Sequence, residues 1–219
     1  MKSILKLAML AATLASAQAM AAPVVLTFEG AGNLAAINDF YNGGTDSAGN
    51  SGTNYGINFS GTSLALIDSD AGGSGNFGNE PSASTILFFQ TGGAATMNVA
   101  GGFGTGFSFF YSSFQAGFVN VYDGLNGTGS LLATVLLPGN TNSACVGDPS
   151  GSYCNFIPIG VSFAGIAHSV DFGGSADNIG FDNITLGAEV PGGSVPEPGT
   201  LSLIGLAALG FGAVRRKQA

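Results

Sequence analysis

The sequence predicts an all-β protein, an antiparallel β-sandwich of jelly-roll type with a short C-terminal transmembrane helix. Three observations predict it. Glycine makes up 37 of 219 residues and separates apolar blocks of strand length. Those blocks are rich in phenylalanine, 17 in all, and tryptophan is missing. Between residues 23 and 190 no long stretch repeats its apolar residues at helical spacing. An immunoglobulin-like sandwich fits second best. No exact internal repeat favours a propeller or a solenoid.

The chain opens with a secretory signal peptide, residues 1–22. Lys2 and Lys6 precede the apolar run Leu7–Leu14, and small residues at 17, 19 and 21 supply cleavage patterns. The exported domain, residues 23–190, follows. Its first strand is Val24–Gly30, ending near the acidic Glu29. Residues 33–54 are polar and loop-like. Tyr55–Phe59 alternates as a strand does, and Ser63–Ile67 is another. Residues 68–82 form a Gly/Asp/Asn-rich loop. Ser84–Phe89 and Ala94–Val99 read as adjacent strands joined around Gly92-Gly93. Gly106–Tyr111 places Phe107, Phe109 and Tyr111 on one face. Gly117–Asp123 and Leu131–Leu137 pair across the turn signals Asp123-Gly124 and Asn126-Gly127. Phe156–Phe163, Ala167–Phe172 and Asn178–Leu186 complete ten or eleven strands.

The end of the chain has a different build. A Gly/Pro linker, residues 191–199, contains Val195-Pro196-Glu197-Pro198 and breaks regular structure. Residues 200–214 are apolar or small, shorter than the roughly 20 residues of an ordinary membrane span. Residues 215–219 begin Arg215-Arg216-Lys217, which suits a cytoplasmic stop. This arrangement resembles the PEP-CTERM sorting signal of Gram-negative bacteria. The resemblance implies an exosortase as processing partner, with Val195, Pro196, Glu197 and Pro198 as its recognition motif. It also implies transient membrane anchoring, then placement in the cell envelope or an exopolysaccharide-rich biofilm matrix.

Composition narrows the choice of ligand. All five Lys and Arg residues lie at the two ends, and all 13 acidic residues lie between Pro23 and Val214. Such a domain has no cationic footprint for nucleic acid. Divalent cations and neutral glycans suit it better. Cys145 and Cys154 are the only cysteines and predict a disulfide closing a surface loop. A metal at that loop would need more ligands than Asp148.

Catalytic patterns are weak. His168 is the only histidine, and on a regular strand it would share a face with Val170. Paired carboxylates for glycoside chemistry meet only in three dimensions. Calcium is the stronger chemical expectation, because carboxylates and amides abound without competing cations. The candidate ligands are Glu29, after the first strand, and Asp182 and Asn183 in the last, with Asp177 and Asn178 nearby. Thr27-Phe28-Glu29-Gly30 and Gly180-Phe181-Asp182-Asn183-Ile184-Thr185 resemble the terminal strands of jelly-roll domains in extracellular and carbohydrate-binding proteins. That resemblance implies a structural Ca2+ held by Glu29 and Asp182. Asp68 and Asp70 form a weaker second candidate. Tyr41, Tyr55, Tyr111, Tyr122 and Tyr153 are the candidate sugar platforms. The expected function is a non-catalytic exported envelope or matrix protein. The alternatives are a calcium-stabilised carbohydrate-binding module and a polysaccharide-modifying enzyme.

Overall fold

A computed structural model describes residues 23–192, apart from 142–144, 147 and 149. The signal peptide, the sorting residues 195–198 and the apolar run 200–214 lie outside the described residues. Among the described residues no helix is long and apolar enough to cross a membrane.

Among the described residues, eleven strands form two antiparallel sheets. They are β1 (Val24–Leu26), β2 (Ile57–Phe59), β3 (Leu64–Ile67), β4 (Thr85–Phe88), β5 (Ala94–Phe103), β6 (Gly106–Ser113), β7 (Gly117–Tyr122), β8 (Leu131–Leu137), β9 (Ile157–Ser162), β10 (Ala167–Gly173) and β11 (Ile179–Leu186). One sheet runs β3-β4-β11-β6-β9, with β1 also paired to β11. The other runs β2-β5-β10-β7-β8. From β4 onward the chain alternates between sheets at every step except the β7–β8 hairpin.

Period-two patterning decides which side chains meet inside. Phe107, Phe109 and Tyr111 of β6 are all fully buried, as are Phe181 of β11 and Phe172 of β10. Phe172 crosses from the second sheet to meet Phe181 at 5.0 Å and Phe109 at 6.1 Å, both edge to face. Such edge-to-face pairs add to the burial energy of each ring. Reciprocal amide bonds dock the β7–β8 turn on β5. Asn98 donates Nδ2 to Asn126 Oδ1 at 2.9 Å, and the Asn126 amide donates to Asn98 Oδ1 at 2.7 Å.

Three local expectations change. The first strand stops at Leu26, because Phe28 takes a positive φ of 62° and turns the chain inward. That conformation is unfavourable for a large L-residue. It is offset by complete burial of Phe28 and by its amide donating to Tyr41 Oη at 2.7 Å. The strands around Gly92-Gly93 do not form a hairpin: β4 and β5 enter opposite sheets. At β10, the register with β5 shifts between Ala167 and Ser169. Ala167 and Val170 both face the core, an odd separation that regular alternation forbids, and His168 is left half-buried. Its Nδ1 lies 3.2 Å from the Val99 carbonyl.

Candidate functional site

The last strand organises the predicted calcium residues. β1 pairs with the C-terminal part of β11, Leu26 opposite Ile184, and β4 meets the same edge at Phe181 opposite Leu87. Asp182 sits at the changeover. Its register with β6 breaks between Asp182 and Thr185, and Asn183 takes a φ of 48° there. Asp182 still pairs with Phe110 of β6, and on the opposite edge it falls in the gap between β4, which pairs at Phe181, and β1, which pairs from Ile184.

Asp182 is fully buried. Its carboxylate accepts the Ser82 amide at 2.9 Å, the Ser82 hydroxyl at 2.7 and 2.8 Å, and the Asn183 amide at 2.6 Å. Glu29 lies beyond β1 and reaches the same loop. Its Oε1 accepts the Ser84 amide at 3.0 Å and the Thr85 amide at 2.9 Å. Burial pushes the Asp182 carboxyl up to about 7, the donors from Ser82 and Asn183 oppose that shift, and the Glu29 charge adds to it. The two predicted carboxylates are therefore close enough to feel each other. Asn183 Oδ1 is also buried, and among the described residues it has no hydrogen-bond partner. A group this enclosed cannot meet a polysaccharide. It can hold a proton or a small cation.

Asp177 and Asn178 do not join this group. The Asp177 carbonyl accepts Tyr153 Oη at 2.8 Å, and Asn178 Oδ1 accepts Gln115 Nε2 at 3.3 Å. Asp68 and Asp70 lie in the turn after β3, where Asp148 joins them. The sequence pattern missed that partner because Asp148 is remote in the chain. It also missed Ser82, Ser84 and Thr85, which carry no charge to mark them. Cys145 and Cys154 form the expected disulfide.

The aromatic candidates divide by burial. Tyr41 and Tyr111 are core residues. Tyr55 is 41% exposed, and Tyr153 is half-buried with its ring edge-on to Phe114 at 4.5 Å. Tyr153 also lines a shallow cleft with Phe77, Phe88 and Phe156.

Residues 194–217 match the family described as the PEP-CTERM protein-sorting motif. The chain carries a PEP-CTERM sorting motif. This match covers the motif Val195-Pro196-Glu197-Pro198, the apolar run and the Arg215-Arg216-Lys217 cluster. It says nothing of the β-domain in front of the PEP-CTERM segment. No curated protein matches the chain. A solved glycoside hydrolase family 43 arabinoxylan arabinofuranohydrolase from Bacillus subtilis, in complex with cellotetraose, shares 18% identity at a TM-score of 0.37. The likeness covers 59% of this chain and only 25% of that one, and at that level it assigns neither fold nor function.

Proposed function

We propose that this chain is a non-catalytic, exported envelope or biofilm-matrix protein whose β-domain is delivered by exosortase processing of the PEP-CTERM tail. The observation that carries this reading is the sorting motif at residues 194–217. The strand order supports a jelly-roll as the cargo, since β4-β11-β6-β9 faces β5-β10-β7-β8 with repeated crossings between sheets. The chemistry of contact follows from charge: a domain without Lys or Arg suits neutral exopolysaccharide or cations, not nucleic acid. Replacing Pro196, Glu197 and Pro198 by alanine tests the route. Unprocessed precursor should accumulate in the membrane fraction, and normal processing of that variant would refute the assignment.

A second reading is a calcium-stabilised carbohydrate-binding module. It is favoured by the approach of Glu29 to Asp182 and by the orphaned Asn183 Oδ1. In this reading Glu29, Asp182 and Asn183 hold Ca2+ and tie the first strand to the last. The hydrogen bonds from Ser82, Ser84 and Thr85 would have to loosen as the ion enters. Chelation should then lower the melting temperature of the wild-type chain and lower it less in Asp182→Asn. Equal sensitivity in both chains would count against this site.

A further inference from the structure

A different set of carboxylates meets where two loops cross. Asp68 follows β3 directly, and Asp70 lies in the short 3-10 turn Ser69–Ala71. Asp148 belongs to the loop closed by Cys145 and Cys154. One carboxylate oxygen from each of the three lies within 4.8 Å of the others. Like charges at that spacing repel, and no Lys or Arg between residues 23 and 214 can relieve them.

A second observation points to a ligand. Asp68 is only 7% exposed, and its Oδ1 is buried without a hydrogen-bond partner among the described residues. Asp148 Oδ2 is buried and unpartnered in the same way. The other oxygen of Asp148 is fully used, accepting the Ser150 hydroxyl at 2.7 Å and the amides of Ser150 and Gly151 at 2.9 and 3.0 Å. Leaving buried carboxylate oxygens unsatisfied costs desolvation energy with no return. Two glycines keep the Asp148 oxygen uncrowded: a Cβ at Gly78 would stand 2.8 Å from Oδ2, and one at Gly151 would press on it more closely.

We propose that Asp68, Asp70 and Asp148 bind a divalent cation of the calcium type, clasping the turn after β3 to the disulfide loop. Calcium sits about 2.3–2.6 Å from oxygen ligands, so oxygens on opposite sides of it stand up to about 5 Å apart. Magnesium, at about 2.0–2.1 Å, asks for a tighter and more regular set. The hydroxyls of Ser69 and Ser150, 2.9 Å apart, stand at the rim, with Ser150 Oγ 3.5 Å from Asp70 Oδ1. Water completes the coordination. The same two loops are joined by the Ser152 amide donating to the Asn76 carbonyl at 2.6 Å and the Gly78 amide to the Tyr153 carbonyl at 3.0 Å. Asn76, Phe77 and Tyr153 line the cleft, so the ion would fix one of its walls. This site uses none of the residues of the Glu29–Asp182 pair.

The test is a calorimetric calcium titration of the metal-stripped full chain. Three variants accompany the wild type: Asp70→Asn, Asp70→Asn with Asp148→Asn, and Glu29→Gln with Asp182→Asn. Asp70 is exposed, so its single substitution guards against a folding failure. The Asp70/Asp148 pair should abolish one saturable calcium site or weaken it about tenfold or more, and Asp70→Asn alone should weaken it measurably. The Glu29/Asp182 pair should leave that site intact. Calcium should also slow reduction of Cys145–Cys154 by dithiothreitol in the wild type and not in the Asp70/Asp148 chain. A titration unchanged by the Asp70/Asp148 pair overturns the proposal. So does a wild-type chain that shows neither calcium binding nor calcium protection of the disulfide.

Discussion

Asp182 and Asp46 are both nearly inaccessible, yet their carboxyls shift in opposite directions. Burial raises both, and neighbours decide the outcome. Asp46 accepts the amides of Gly32, Ala48 and Asn50 and the Asn50 side chain, all between 2.8 and 3.1 Å, and these donors hold it below its ordinary value. Asp182 has fewer donors and the Glu29 charge nearby, and it rises from 3.8 to about 7. The signs for stability are therefore opposite. Asp46 contributes stability above the ordinary carboxylate range, and that contribution is lost as pH falls through its lowered pKa. Asp182 keeps its proton in the native state after the unfolded chain has released it. Its stabilisation is thus complete below about pH 4 and is lost as pH rises through about 7. At about 1.4 kcal/mol per unit, the span is on the order of a few kcal/mol. Urea midpoints measured in chelator from pH 4 to 8 should fall for the wild type and fall less for Asp182→Asn. Parallel profiles would show that other carboxylates cause the slope. The sequence singled out Asp182 by its place in the last strand. It contained no sign of the strand changeover, from β4 to β1, at which Ser82 covers it.

The cysteine loop was legible because two cysteines in an exported chain have only each other. Both are buried, and they lie nine residues apart. Closing so short a loop restricts the unfolded chain by about 2–3 kcal/mol. Replacing both by serine should lower the urea-unfolding free energy by about that amount; an unchanged value would mean that other contacts hold the loop. The β7–β8 hairpin was legible for a related reason, since Asn126 and Gly127 take φ of 58° and 66° in a local turn. Gly92-Gly93 gave the same kind of signal and misled. Gly92 does take a φ of 81°, but every residue of β4 is buried between β3 and β11, and that packing carries β5 to the other sheet. A turn signal reports that the chain bends, not which sheet the next strand joins.

At the scale of the molecule, charge is segregated. Every Lys and Arg lies at the two ends, so the β-domain can relieve its carboxylates only with hydrogen-bond donors, protons or bound cations. All three modes fit what surrounds Asp46, Asp182 and the Asp68–Asp70–Asp148 cluster. Glu80 links the acidic groups: burial pushes its carboxyl up, and the charges of Asp68, Glu29 and Asp148 push it further. The sequence by itself determined the sorting motif, the segregation of charge, the all-β class and the disulfide. Each of these depends on residue identity, local alternation or a count of two. Only the tertiary structure decided that β1 and β4 share one edge of β11, that Asp182 is buried between them near Glu29, and that Asp148 meets Asp68 and Asp70. Those depend on strand order, and strand order is set by how buried faces pack across the whole sandwich, between residues far apart in the chain.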